Sequence, residues 1–178
     1  MTTMTRFRRT GVLLGLALLL LLGTPLLALN VPQSRAEFVS AVTSGTRGAR
    51  MEKLTIARPF DEVYRTLETR CAPCLDVEVR RSGFVGGQME VSSSDYNPTL
   101  KRIGRDRAEF SLQVVHRPRG IGEVTGPGGL YVFAADLARA GGGTEVTLYR
   151  PSIGYKEITK SFTAWVDGRS TDCPKMKY

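Results

Sequence analysis

With 178 residues, 42% of them hydrophobic and 24% charged, the chain is long enough to bury one core and too apolar for a disordered tail. Its net charge is +8, but Arg6, Arg8, Arg9 and Arg35 lie in the first 36 residues, leaving 21 basic against 17 acidic groups, a mild +4, beyond them. The basic residues are not interleaved with aromatics, so the pattern excludes a nucleic-acid-binding surface.

The arginine cluster Arg6, Arg8 and Arg9 is followed by an uncharged apolar run, Gly11 to Leu29, with an unbroken block Leu18 to Leu22. A charged start followed by such a run is the pattern of an export signal or a retained anchor, with the arginines on the cytosolic side. As a helix the nineteen residues would span roughly 28 Å, near the thickness of a bilayer core. Pro25 would break that helix late, as a cleaved signal does before its processing site. Ser34-Arg35-Ala36 and Leu26-Leu27-Ala28 are the small-residue sites on offer, and cleavage and retention both fit. Residues 1–36 therefore read as signal peptide or membrane anchor. A soluble or inner-membrane-anchored domain in the bacterial periplasm is expected, and the chain has no Asn-x-Ser/Thr glycosylation acceptor. Residues 37–50, rich in Ser, Thr, Gly and Ala, read as a spacer, and residues 51–178 as a single domain.

That domain opens on an alternating strand at Lys53 to Arg58, stopped by Pro59. A helix begins at Phe60, with Asp61 and Glu62 in its first turn and Val63, Leu67 and Cys71 in one apolar stripe; Pro73 is expected to stop it. Leu75 to Arg80 alternates as a strand, Met89 and Val91 mark another, and Asn97-Pro98 reads as a turn. The cluster Lys101, Arg102, Arg105 and Arg107 reads as a solvated turn more than a lipid contact. Ala108 to His116 alternates again, and a loop fills Arg117 to Gly129. Leu130 to Leu137, apolar on both faces, should be a central strand joined through Gly141-Gly142-Gly143 to Thr144 to Arg150. Ile158, Phe162, Trp165 and Val166 then switch to helical spacing over Gly154 to Val166, with Gly168 as the C-terminal cap. The expected fold is α+β: an antiparallel sheet of about five to six strands, with a helix near the N-terminal side and a C-terminal helix packed on it.

This order, with the opening Leu54-Thr55-Ile56-Ala57-Arg58-Pro59-Phe60-Asp61-Glu62-Val63-Tyr64, resembles the helix-grip domains of the START and polyketide-cyclase-like superfamily. The resemblance spans roughly residues 52–167 and implies a sheet gripping the last helix with an apolar pocket between. It carries over no catalytic motif.

Cys71, Cys74 and Cys173 are the sharpest chemistry, and an oxidising compartment leaves few thiols idle. Cys71-Ala72-Pro73-Cys74 has the spacing of a redox motif, but it ends a helix, where the dipole is of the wrong sign to stabilise a thiolate. The expected arrangement is a Cys74–Cys173 staple, with Cys71 buried and free on the apolar stripe; Cys71–Cys173 is the rival pairing. Three cysteines and one histidine make a poor metal pattern. His116 reads as a strand-end histidine, Asp95, Glu109 and Asp136 as surface acids, and Trp165 and Tyr155 as core and rim of the last helix. Gly126-Pro127-Gly128-Gly129 lacks the Lys-Ser/Thr of a phosphate loop, so no cofactor is indicated. These observations point to a non-catalytic envelope domain binding an apolar small molecule or an envelope protein, with a thiol-disulfide oxidoreductase using Cys71 and Cys74 as the alternative.

Overall fold

In a computed structural model, described for residues 31–45, 48–118, 126–151 and 154–176, the chain runs α1 (Arg35–Thr43), β1 (Ala49–Ile56), α2 (Phe60–Leu75), β2 (Glu78–Val85), β3 (Gln88–Arg102), β4 (Arg107–Arg117), β5 (Leu130–Ala140), β6 (Gly143–Pro151) and α3 (Lys156–Asp167). The expected apolar segment Gly11 to Leu29 and the site Leu26-Leu27-Ala28 lie outside the described residues. Among those residues no helix is long and apolar enough to cross a membrane.

The six strands form one antiparallel sheet in the order β1-β6-β5-β4-β3-β2. Its inner face carries Phe110, Leu112, Val114, Phe133, Leu137, Val146 and Leu148, all buried against α2 and α3. The α2 stripe Phe60, Val63, Leu67, Cys71, Cys74 and Leu75 repeats at steps of three and four, so one side of that helix is wholly apolar. From α3, Phe162 reaches Phe110, Phe133 and Trp165 with ring centroids 5.0, 5.2 and 6.4 Å apart. Gly168 adopts the left-handed conformation (φ 74°) that ends α3, and its N–H returns to the last turn. This is the α+β, helix-grip-like arrangement expected.

Three local expectations need correction. First, Pro73 does not stop α2, which runs on to Leu75. A proline in the last turn removes little hydrogen bonding, while Cys74 and Leu75 are buried and hold that turn in place. With Leu75 in the helix, β2 begins only at Glu78. Second, Asn97-Pro98 lies inside β3 instead of turning. Pairing with β2 ends at Glu78↔Asp95, so Pro98, opposite Leu112 of β4, has no partner strand on its other side. Third, the stretch read as spacer contains most of α1 and the start of β1.

α1 covers the outer face of the sheet, burying Phe38 and Val42 with Ala134 and Tyr149. Ser34 caps it by accepting from the Glu37 N–H. Arg35 anchors it, donating to Ala135 O (3.0 Å) and to Asp136, and pairing with Glu109 at 3.4 Å. Tyr149 Oη donates to the other oxygen of Asp136 (2.9 Å); burial, then this bond, push its phenol up to about 12. Glu109 and Asp136, read as simple surface acids, are thus the anchor points of a helix that the sequence reading did not include. Arg35→Ala removes charged hydrogen bonds worth about 2–3 kcal/mol together, so amide exchange from Phe38 to Thr43 should quicken roughly 30- to 150-fold. Unchanged exchange there would show that α1 is held by packing alone.

The basic cluster is also more than a solvated turn. Arg102 reaches Asp61 at 2.6 Å and lies over the rings of Phe60 and Tyr64, 5.1 and 5.2 Å from their centroids. Arg139 bridges Asp61 (2.8 Å) and Asp106 (2.6 Å). The hydrogen bond from Arg139, then that from Arg102, holds the Asp61 carboxyl below its ordinary value. A lowered carboxyl stabilises the fold above its unfolded pKa, and that contribution is lost as pH falls through the folded one. Wild type and Asp61→Asn should therefore converge in melting temperature under acid and separate as pH rises past the carboxylate range. Parallel curves throughout would refute the ion-pair account.

Candidate binding cleft

The register of the sheet places Val79, Ser94 and His116 side by side on the inner face, with Arg81 opposite Ser92 next along. β4 ends at Arg117, opposite Ser93, so the outer part of the β2–β3 hairpin continues past it without a third strand. Gly154, Tyr155 and the first residues of α3, Lys156 to Ile158, lie across from this corner. The C-terminal tail closes the third side through Lys175 and Met176. Together they line a cleft of about 570 Å³ that opens to solvent, within the ~300–1,000 Å³ range of small-molecule sites.

The tail is a fixed wall. Cys173 is bonded to Cys74 at the end of α2, with Cα atoms 5.0 Å apart and 99 residues between them in sequence. Trp165 Nε1 donates to Asp172 O (2.9 Å), Pro174 is buried, and Met176 packs on the core. Beyond the cleft, the rings of Phe110, Phe133, Phe162 and Trp165 fill the space between sheet and α3. The inner face is thus divided into a filled half and an open half.

The lining is amphipathic. Val79, Tyr96, Ile158 and Met176 give an apolar floor, while Arg81, Arg117, Lys156 and Lys175 stand against one acid, Glu157. Arg117 also pairs with Asp95 at 2.8 Å, which gives a structural partner to an acid read as a surface group. Ser94 Oγ and His116 Nδ1 are 2.9 Å apart, a cross-strand hydrogen bond. Among the described residues no carboxylate bonds the other His116 nitrogen, so the pair is half of a nucleophilic triad at most. Tyr155 sits at the rim and Trp165 in the core, without solvent exposure. The sequence reading passed over Arg81, Ser94, Lys156 and Lys175. They are scattered over 95 residues, and only the strand register, visible as period-two alternation, could have grouped the first two.

At the thiols, Cys71 is free and 4% exposed, and burial pushes its thiol up to about 12. The attacking species in thiol exchange is the thiolate, so this environment suppresses the reactivity that its spacing from Cys74 suggests. Among the described residues no cluster of three or more His, Cys, Asp or Glu side chains could hold a metal ion.

Comparison with known proteins adds little to this geometry. No protein-family profile and no curated protein matches the chain. Several solved structures are similar at low level, three of them as follows. The crystal structure of Ara h 8.0201 has TM-score 0.31 and 9% identity, covering 68% of this chain and 95% of that one. Protein CV1439 from Chromobacterium violaceum has TM-score 0.34 and 11% identity, with 70% and 98% covered. DynU16, from the dynemicin biosynthetic locus, has TM-score 0.30 and 16% identity over 67% of this chain and 44% of that chain. At such values the fold class rests on the strand order and helix positions above.

Proposed function

We propose that this is a non-catalytic binding domain of the bacterial envelope, exported or held at the inner membrane by its N-terminal apolar segment. Its ligand is an amphipathic anion, an acyl chain with an acidic head. The observation that carries this is the two-part lining of the cleft: Val79, Tyr96, Ile158 and Met176 offer an apolar floor, and the basic side chains at its rim attract negative charge. The uncapped start of α3 opens toward the same space and favours an anion there. The Cys74–Cys173 bond fits an oxidising compartment such as the periplasm. The position of Arg35 and Ser34 in the fold bears on processing. A cut after Ala36 would remove both the cap and the anchor of α1, so a removed leader should end before Ser34.

The test is binding of a fluorescent fatty acid to the full chain, with oleate and oleylamine as competitors. Oleate should displace the probe and oleylamine should not, and Arg81→Glu with Lys156→Glu should weaken the affinity at least tenfold, about 1.4 kcal/mol. Equal competition by the cation, or no binding at all, would sink the proposal.

A further inference from the structure

Among the described residues, the three most exposed of the large apolar side chains lie together toward the tip of the β2–β3 hairpin. Phe84, Met89 and Val91 are 79%, 66% and 58% exposed. The register pairs Phe84 with Met89, and Ser82 with Val91, so all three project from the outer face, opposite the cleft. The turn between them is Gly86-Gly87, both with positive φ, the two-residue hairpin that holds such a pair in register. Because β4 stops opposite Ser93, Met89 stands four residues, roughly 13 Å, beyond the end of the neighbouring strand. Nothing in a single globular domain requires three large apolar groups on so prominent a point.

Where the chain joins the fold indicates what receives them. Gln33 lies over the outer face against Gly126, so close that a Cβ on Gly126 would stand 2.8 Å from the Gln33 carbonyl oxygen. Gly126 opens the described stretch before β5, which is pinned over the same face by bonds from Gln113 to Pro127 O (2.8 Å) and from Asn97 to Gly128 O (3.3 Å). Gly129 of this stretch lies against Val114 and Val115, near the end of β4 beyond which the hairpin projects. In sequence, four residues, Asn30 to Gln33, separate the apolar run ending at Leu29 from the Ser34 cap, a tether of roughly 13–14 Å at full extension. The point of attachment and the apolar tip thus share one face and one end of the sheet.

We propose that the tip of the β2–β3 hairpin inserts Phe84, Met89 and Val91 into the interface of the bilayer that the N-terminal apolar segment enters. The inference rests on the membrane-held form of the preceding reading. It gives that reading a route: the cleft opens beside the same hairpin, so its ligand is taken from the membrane surface and not from solution.

The experiment uses the full chain in vesicles of phosphatidylethanolamine and phosphatidylglycerol, with Phe84→Trp as the probe and the wild type, whose one tryptophan is buried, as background. Acyl-brominated lipid should quench the new tryptophan and protect it from aqueous iodide. Full quenching by iodide with no effect of brominated lipid overturns the proposal. So does protection without vesicles that depends on protein concentration, which would make a second copy the occupant. A Phe84→Asp, Met89→Asp variant should slow fatty-acid uptake from vesicles at least tenfold and leave affinity in solution unchanged. Insertion without fatty-acid binding in either assay would remove the ligand reading and leave the docking surface standing.

Discussion

In a Cys71→Ala background, where no alternative pair can form, Cys173→Ala is expected to lower the melting temperature by roughly 10–20 °C. Closing a loop of about 100 residues is worth about 4.7 kcal/mol in the chain-entropy account, and each kcal/mol moves a domain of this size by about 2–4 °C. Cys173 is the side to mutate, because it is exposed, whereas Cys74 is buried and its loss would add a packing defect. Calorimetry with and without reductant checks the result: the wild type should lose the same increment on reduction and the variant should not respond. A variant that melts with its parent would mean that the tail is held by Trp165 and Met176 alone. The same variant reports on the cleft, since Lys175 and Met176 lie just past the bond. Ligand affinity should fall with the tail released.

The second large effect lies at the centre of the ring cluster. Phe162→Ala is expected to cost about 3–5 kcal/mol, the range for an aromatic removed from a packed core. Phe162 is fully buried, and its ring meets Phe110, Phe133 and Trp165, so the surrounding groups belong to two strands and its own helix and cannot collapse together. Urea unfolding followed by the fluorescence of Trp165 should show a lower midpoint at unchanged slope. Phe162→Leu keeps most of the volume and should cost less than half as much. If alanine and leucine were equivalent, the half of the inner face described as filled would be loose enough to admit ligand.

The two layers of this fold were not equally legible in the sequence. β1, β4 and β6 announce themselves because apolar and polar residues alternate, which writes period two directly into Leu54/Ile56, Phe110/Leu112/Val114 and Val146/Leu148, while β5 shows instead as a short run apolar on both faces. α3 is legible for the matching reason, with Ile158, Phe162, Trp165 and Val166 on one stripe. α1 buries only Phe38 and Val42 and is fixed instead by Arg35 to strands a hundred residues away. Its helical pattern is too short to register as a stripe, and its main restraint is non-local. Leu75 alternates with Val77 and Val79 and so mimics a strand, yet its burial on α2 decides its place. Pro98 reads as a turn until the shortness of β2 leaves it facing no partner. The cleft is illegible for a further reason: its lining comes from three strands, the start of a helix and a tail, and no window of sequence contains more than a part of it.

The spacing of the cysteines has a consequence for biogenesis. A chain threaded across a membrane from its N-terminus presents Cys71 and Cys74 to the oxidant about a hundred residues before Cys173 arrives. The first bond available is the adjacent one, within Cys71-Ala72-Pro73-Cys74, and it is not the bond of the folded protein. Reaching the native pair then requires exchange: the Cys173 thiolate attacks the Cys74 sulfur and releases Cys71 as a thiol, which the closing core buries. On the export route proposed above, maturation of this domain includes disulfide isomerisation as well as oxidation, and cells lacking an isomerase should accumulate the short-loop form.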